Sequence, residues 1–456
     1  MSTRANWFPR FAARVSAWLF YRVDLIGTVP SNGPVLLLPN HPNSLLDPAL
    51  VWAKAGRDVR FLAKSTLFDG PMRPVLVGAG AIPVYRRIDD GVDVSKNTET
   101  FAAVSAALAD GDAVCLFPEG ITHSTGRLET LRTGAARMAI GAERTGTRVA
   151  LVPVGINLER KTAFRSRVTL VFGTPFSCAD LVGQAESDFS GVVRALTDRI
   201  ATNIRRLLIE TDPKRDASTV ERIEQIYASA RGLDDNPQQR LARRQAIAIG
   251  IERLRAASPE RLEAVLLPVR QYDDRLKRFG LRDKHLDWQV TSAGAIRFAA
   301  RELLIAIGLV PLCIAGLVVF FVPYWLTGMV AKRTAPERAM LATAQLIGGT
   351  LIYALWLTLF VVAAWRLGGT DAAIAMGVAI PVLAVASLFA IERESAVFDT
   401  VRAWSINRSR SATRERLKRR RSEIVDVLEE VRQWLSSEST ANAQHSSPNA
   451  AKVDRA

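Results

Sequence analysis

Leu36-Leu37-Leu38-Pro39-Asn40-His41-Pro42-Asn43-Ser44-Leu45-Leu46-Asp47-Pro48 is the stretch that decides the fold. An apolar run stopped by proline and polar residues reads as a strand. It delivers a histidine to a loop, and a carboxylate follows, which is the pairing needed to deprotonate a hydroxyl. A second such segment is Leu116-Phe117-Pro118-Glu119-Gly120-Ile121-Thr122-His123. Two strand-then-turn segments suggest a single site, because ligands in open α/β sheets bind beyond the carboxyl ends of strands.

Working outward, the candidate strands are 35–38, 59–63, 81–85, 113–117, 149–154 and 168–171. Helical patterns at 48–55, 97–109 and 133–145 lie between them. This alternation predicts an α/β layer fold. A helix over 190–209 closes the domain, and Asp212-Pro213 marks its end. Charged amphipathic helices follow, interrupted at 232–236 and 258–259. The expected divisions are an interfacial helix at 1–22, the α/β domain at 23–213 and a helical linker at 214–300. A transmembrane region at 301–395, a basic amphipathic helix at 396–435 and a disordered tail at 436–456 complete the chain.

The first segment interleaves Trp7, Phe8, Phe11, Val15, Trp18 and Leu19 with Arg10 and Arg14. That pattern suits a bilayer headgroup boundary or a helix docked on its own domain, and it is not a cleavable signal. A span of hydrocarbon ~30 Å thick takes ~20 residues, and 346–365 and 372–391 each fit one crossing. The segment 303–331 is longer and carries Pro311 and Pro323, so we expect it to dip and return as a re-entrant element. The short loop 366–371 would then lie outside. Lysine and arginine at 332–338 and 402–421 place those flanks, and the catalytic domain, on the cytoplasmic face.

The 456 residues carry a formal net charge of +15 and 48% hydrophobic residues. Apolar spans beside basic flanks point to anionic phospholipids and phosphorylated substrates rather than nucleic acid, for which no motif is present. The three cysteines are far apart and read as buried thiols of a reducing compartment. No Gly-x-Ser-x-Gly occurs, which disfavours a serine hydrolase.

Four ordered blocks, Asn40-His41 to Asp47, Gly80 to Arg86, Phe117 to Gly120 and Val152-Pro153-Val154-Gly155, resemble the glycerol-3-phosphate and lysophosphatidate acyltransferases of phospholipid synthesis. The resemblance covers roughly residues 23–176. It implies a mixed-sheet acyltransferase domain, no metal and no cofactor, with acyl-CoA or acyl carrier protein as co-substrate. His41 would take the proton of an acceptor hydroxyl and Asp47 would orient the imidazole. Read from the residues alone, Asp47-Pro48 is equally a helix N-cap followed by a first helical proline, and the two roles are compatible. Arg86 and Arg87 would bind a substrate phosphate. Glu119, Gly120, Thr122 and His123 would shape the acceptor site, with Glu119 bonding a hydroxyl or backbone amides. Lys64 is a further phosphate or CoA candidate, beside Arg127 and Arg132, and Pro153 and Gly155 would shape the pocket.

Five residues separate His41 from Asp47, where the family usually has four. An insertion inside a helix would swing the carboxylate by ~100°, so the pair requires a loop that absorbs it. This spacing, together with Thr122-His123, resembles the fungal-type glycerol-3-phosphate acyltransferases. The implied product is lysophosphatidate or phosphatidate. Remodelling of lysophospholipids and a non-catalytic lipid-binding scaffold are the alternatives.

Overall fold

The computed structural model describes residues 7–70, 72–86, 93–123, 125–161, 165–212, 214–279, 281–287, 292–334, 341–409 and 411–445. Its strands are β1 (Tyr21–Ile26), β2 (Val35–Pro39), β3 (Val59–Lys64), β4 (Ile82–Val84), β5 (Ala113–Cys115), β6 (Ala150–Leu158) and β7 (Ser166–Phe172). The helices are α1 (Trp7–Phe20), α2 (Leu46–Lys54), α3 (Arg73–Gly78), α4 (Asn97–Ala109), α5 (Gly134–Arg144), α6 (Ala179–Val182) and α7 (Phe189–Arg205). They continue as α8 (Ala217–Arg231), α9 (Pro237–Ala257), α10 (Pro259–Phe279), α11 (Asp283–Leu286), α12 (Ser292–Thr334), α13 (Leu341–Ser409) and α14 (Ser411–His445).

The chain forms two compact units, one of residues 1–217, 236–245 and 330–347, the other of 218–235, 246–329 and 348–456. The first holds a seven-stranded mixed sheet in the order β1-β7-β6-β2-β5-β3-β4. Five strands from β6 to β4 run parallel, and β7 turns back antiparallel to β6 with β1 parallel to it. Strand β2 is central and all five of its residues are buried, as its unbroken apolar run requires.

Side chains alternate across that sheet. Leu36, Leu38, Val114 and Leu151 join one core with α4, α5 and α7, whereas Val35, Leu37, Cys115 and Val152 join a second with α1 and α2. Helix α1 buries Ala13 and Ala17 in that second core and leaves Phe11, Val15 and Trp18 exposed. Arg10 pairs with Asp58 at 2.7 Å and Arg165 lies over the Trp18 ring. The segment is thus docked on its own domain through one face and presents an apolar stripe on the other.

Strand β1 departs from the expected division at residue 22, since Tyr21 already pairs with Ser166. Tyr21, Val23 and Leu25 alternate with Arg22 and Asp24, a period of two that follows the helix with no intervening turn.

In the second unit, α8, α10, α11 and α14 meet through ion pairs and hydrogen bonds. Arg222 bonds Asp273 at 2.7 Å and also meets Asp283, whose other oxygen accepts the Tyr272 hydroxyl at 2.8 Å. Arg421 grips both carboxylate oxygens of Asp287 at 2.7 Å and donates to the Ser229 hydroxyl. The Tyr227 hydroxyl donates to Glu429 at 2.7 Å. One residue of the basic run 418–421 therefore faces inward rather than toward lipid, because Leu417, Ile424 and Val425 bury the same side of α14. Helix α14 reaches His445, beyond the expected start of a disordered tail at 436, and residues 446–456 lie outside the described ones.

Helix α12 runs unbroken through Pro311 and Pro323, so the re-entrant pair of half helices expected at 303–331 does not form. Proline removes one hydrogen bond and kinks a helix, and the remaining backbone bonds carry the helix past it. The break falls instead at Gly369 (φ 74°, ψ −162°) inside α13. A side chain added at Gly377 would lie 3.8 Å from Val361 on the other side of the break, so the chain doubles back there. The Trp356 indole donates to the Val319 carbonyl at 3.0 Å and Phe320 stacks near Tyr353, which pairs α12 with the first half of α13.

Candidate active site

His41 leaves the carboxyl end of β2, and Asp47 enters the first turn of α2. Their contact is direct: His41 Nδ1 lies 2.8 Å from Asp47 Oδ2. The widened spacing is absorbed at Ser44, whose backbone is left-handed at φ 49°. That conformation is uncommon for a non-glycine residue, and here it turns the loop so that the carboxylate swings back onto the ring. Hydrogen bonds from Leu46 N to Asn43 O and from Asp47 N to Ser44 O close the turn.

Asp47 is not the N-cap. Leu45 occupies that position without a capping side chain, and the Asp47 carboxylate accepts the Asn43 N–H at 2.6 Å. It stands within the first helical turn, where the helix dipole favours negative charge. The side chain is wholly buried, and burial raises its pKa above the ordinary carboxylate value against the opposing pull of His41, Asn43 and Lys161. The His41 ring stacks on Phe117 at 4.0 Å. With Nδ1 held by Asp47, Nε2 is the ring nitrogen available to a substrate proton.

Glu119 sits at the carboxyl end of β5 and is 1% exposed. Oε1 accepts the His41 N–H at 2.7 Å; Oε2 accepts the Glu129 N–H at 3.0 Å and also meets His123 Nε2. Both oxygens are therefore engaged by the protein, backbone amides among their donors. His123 is turned the same way, with Nδ1 on the Thr125 hydroxyl at 2.9 Å. Both side chains brace the loop that carries the base. Thr122 is half-buried on the same turn.

Gly120 takes φ 72°, which a side chain would strain, and its carbonyl accepts Arg86 Nη1 at 2.8 Å. That bond brings Arg86, just past β4, to the turn after β5. Lys64 ends β3 opposite Val84 of β4, half-buried at the same sheet edge. Arg87 lies outside the described residues. In the fourth block, a side chain at Gly155 would lie 2.7 Å from the Leu207 backbone oxygen, and one at Gly173 would meet Pro153. This block packs the sheet under α7 and sends no functional group to the site.

Three further residues complete the arrangement. Asn40, 7% exposed, donates to the Ile156 carbonyl and accepts the Ile156 N–H, extending the ladder between β2 and β6 through its amide. Asn43 donates to the Tyr21 hydroxyl and to the Lys161 carbonyl. Lys161, just beyond β6, donates to the His123 carbonyl at 3.0 Å. Asn40 and Asn43 stood beside His41 in the sequence, but Tyr21 and Lys161 reach the loop from distant strands and carry no local signal. Among the described residues, no group of three or more His, Cys, Asp or Glu side chains is placed to hold a metal ion.

Residues 22–157 match the acyltransferase family. The chain carries an acyltransferase domain. It is 36% identical over 94 residues to a glycerol-3-phosphate O-acyltransferase of Saccharomyces cerevisiae, covering 20% of this chain and 13% of that protein. It is 33% identical over 156 residues to a lyso-ornithine lipid O-acyltransferase of Brucella abortus, covering 33% of this chain and 55% of that one. A chloroplast 1-acyl-sn-glycerol-3-phosphate acyltransferase of Arabidopsis thaliana is 27% identical over 153 residues, 33% of this chain and 40% of that protein. The matched regions thus span at most about half of these relatives. The acyltransferase domain so delimited begins at the second residue of β1 and ends within β6, enclosing His41, Asp47, Lys64, Arg86 and the turn from Glu119 to His123. Lys161 lies beyond it.

Proposed function

We propose that the chain is a membrane-bound O-acyltransferase that moves a fatty acyl group from a thioester to the hydroxyl of glycerol-3-phosphate or 1-acylglycerol-3-phosphate. The observation that carries this reading is the 2.8 Å contact between His41 Nδ1 and the buried Asp47. In the proposed step, His41 Nε2 takes the acceptor hydroxyl proton as the oxygen bonds the thioester carbonyl carbon. The tetrahedral adduct collapses with cleavage of the C–S bond, and the thiolate of CoA or acyl carrier protein takes up the proton from His41. A positioned base contributes about 10²- to 10⁴-fold, and Asp47 stabilises the imidazolium as it forms. The thioester activates the carbonyl carbon itself, so the step draws on no metal and no bound cofactor.

Arg86, near the Gly120 turn, supplies a guanidinium for the acceptor phosphate. The five-residue spacing and Thr122-His123 support glycerol-3-phosphate as the acceptor. The likeness to lyso-ornithine lipid enzymes supports a second reading, in which a lysolipid takes the same place.

Membrane attachment is supported by two apolar helical stretches, Val310–Thr334 with mean hydropathy 2.0 and Ile347–Phe389 with 2.3. Their side chains are left outside the protein core, Val318 71% and Leu355 72% exposed, which suits lipid contact. The exposed stripe of α1 would lie at the headgroup boundary, anionic phospholipids would meet the basic flanks, and the catalytic domain would face the cytoplasm.

The test is acyl transfer by membranes containing this chain. Acyl-CoA or acyl carrier protein is offered with glycerol-3-phosphate, 1-acylglycerol-3-phosphate or a lysolipid lacking phosphate, beside a His41→Ala control. Product that depends on His41 is expected with a phosphorylated acceptor. Equal product from both proteins overturns the assignment of the base, and preference for the lysolipid selects the second reading.

A further inference from the structure

Asp47 is an unusual carboxylate to keep charged. It has no exposed surface, and Oδ2 serves both His41 Nδ1 and the Asn43 N–H. Oδ1 is buried with no hydrogen-bond partner. A charge in such a place is held only by a compensating one. His41 cannot be that charge while it acts as a base, since a base must be neutral before it takes a proton.

Among the described residues, the titratable and charged groups around the carboxylate are these. From its own loop there is His41; from β1 there is Tyr21, whose hydroxyl accepts from Asn43 and whose pKa is pushed up by burial and by Asp47. Across the loop after β5 stand Glu119 and His123, joined to each other. From the segment after β6 comes Lys161. Its ammonium is half-buried and fixed on the His123 carbonyl, and its own carbonyl accepts the Asn43 amide at 3.3 Å. Lys161 and Asp47 stabilise each other's charged forms through space, and burial pulls the lysine below its ordinary value.

We propose that Lys161 is a positioning residue of the His41–Asp47 pair: its ammonium, held on the His123 carbonyl, is the positive charge that keeps Asp47 ionised while His41 is neutral. This rests on His41 being the base. The lysine also closes a ring of contacts. Glu119 holds the His41 backbone and the His123 ring, His123 holds Lys161 through its carbonyl, and the Lys161 carbonyl holds Asn43, whose N–H bonds the carboxylate that holds the His41 ring.

The sign of the effect follows from charge alone. A cation beside the pair opposes the uptake of a proton by it, whichever of the two groups receives that proton. Removing the cation therefore makes the pair easier to protonate, and the acid limb of the pH profile of kcat/KM moves to higher pH. A neighbouring charge screened by a half-exposed position is worth roughly 0.5 to 1 pH unit, which is about three- to tenfold in rate on that limb.

The experiment measures kcat/KM against pH for the full chain in membranes, as wild type, Lys161→Gln and Lys161→Arg, with glycerol-3-phosphate and acyl-CoA. The glutamine variant should shift its acid limb upward by that amount with little change in the KM of the acceptor, and arginine should restore the wild-type limb. In an Asp47→Asn background, Lys161→Gln should give a smaller shift, because only the direct action of the cation on His41 remains. A glutamine variant with reduced rate and an unmoved limb overturns the proposal in favour of a structural role. A raised acceptor KM with an unmoved limb overturns it in favour of direct substrate binding. Should the glutamine variant fail to fold, the arginine variant decides, since a displaced limb with the charge retained also overturns it. Full activity of His41→Ala would refute the base itself, an outcome distinct from all of these.

Discussion

Glu119 accepts the backbone N–H of His41 at 2.7 Å, so the turn after β5 holds the loop after β2 by its main chain. The glutamate positions the base without touching its ring, while Asp47 holds the ring itself. Backbone and imidazole are thus fixed by two different carboxylates, and each can be removed separately.

Glu119→Gln keeps the volume but puts an amide NH₂ where an oxygen accepts from His41 or Glu129. One donor is left facing another in a buried site, at a cost of about 1 to 3 kcal/mol. We expect a lower melting temperature together with reduced kcat, measured by thermal denaturation and acyl-transfer assay. Unchanged stability would show that the buried bonds are dispensable.

Asp47→Asn should separate stability from catalysis. The amide retains an acceptor for the Asn43 N–H but cannot stabilise an imidazolium as a charge, so kcat should fall about 10³-fold or more. Stability should move the other way. The folded carboxyl is raised above its unfolded value by burial, so its stabilising contribution is present in acid and is lost as pH rises through the folded value. The variant escapes that loss, and its melting temperature should gain on wild type as pH rises above about 4. A gap that narrows toward neutrality would contradict the burial argument.

Arg86→Ala should raise the KM of a phosphorylated acceptor about tenfold or more, with a smaller effect on the KM of the acyl donor. Arg86→Lys should recover only part of the loss, because an ammonium lacks the planar fork. Equal effects on both substrates would mean that the arginine serves the Gly120 turn alone.

Gly155→Ala tests the fourth block as packing. Its new methyl group would press on the Leu207 main chain, a contact no side-chain rotation relieves. A loss of about 1 to 3 kcal/mol is expected, seen as a lower melting temperature, with the KM of both substrates unchanged in the protein that remains folded.

The mixed α/β architecture and the two carboxyl-end turns were legible because strand β2 is apolar throughout and both turns are marked by proline and a titratable residue. Legibility failed where partners are distant. Tyr21 and Lys161 come to the loop from β1 and from beyond β6, and only three-dimensional pairing reveals them. The role of Glu119 was half legible, since an acid in a tight turn is as suited to backbone amides as to a ligand. The Asp47-Pro48 pair misled as a cap because the helix begins two residues before Pro48, at Leu46. Pro311 and Pro323 likewise suggested breaks that an otherwise unbroken helix absorbs, while Gly369 makes the reversal.

The grip of Arg421 on Asp287 sets a parity rule. Asp287 precedes every apolar helix of the second unit and Arg421 follows them, yet the two side chains meet. The chain must then leave any bilayer on the side from which it entered, and the number of complete passages between residues 292 and 411 is even. Three apolar helical segments are available once Gly369 divides the longer stretch, and three is odd. On the membrane-bound reading proposed above, one of them would therefore end its course within the leaflet or along its surface.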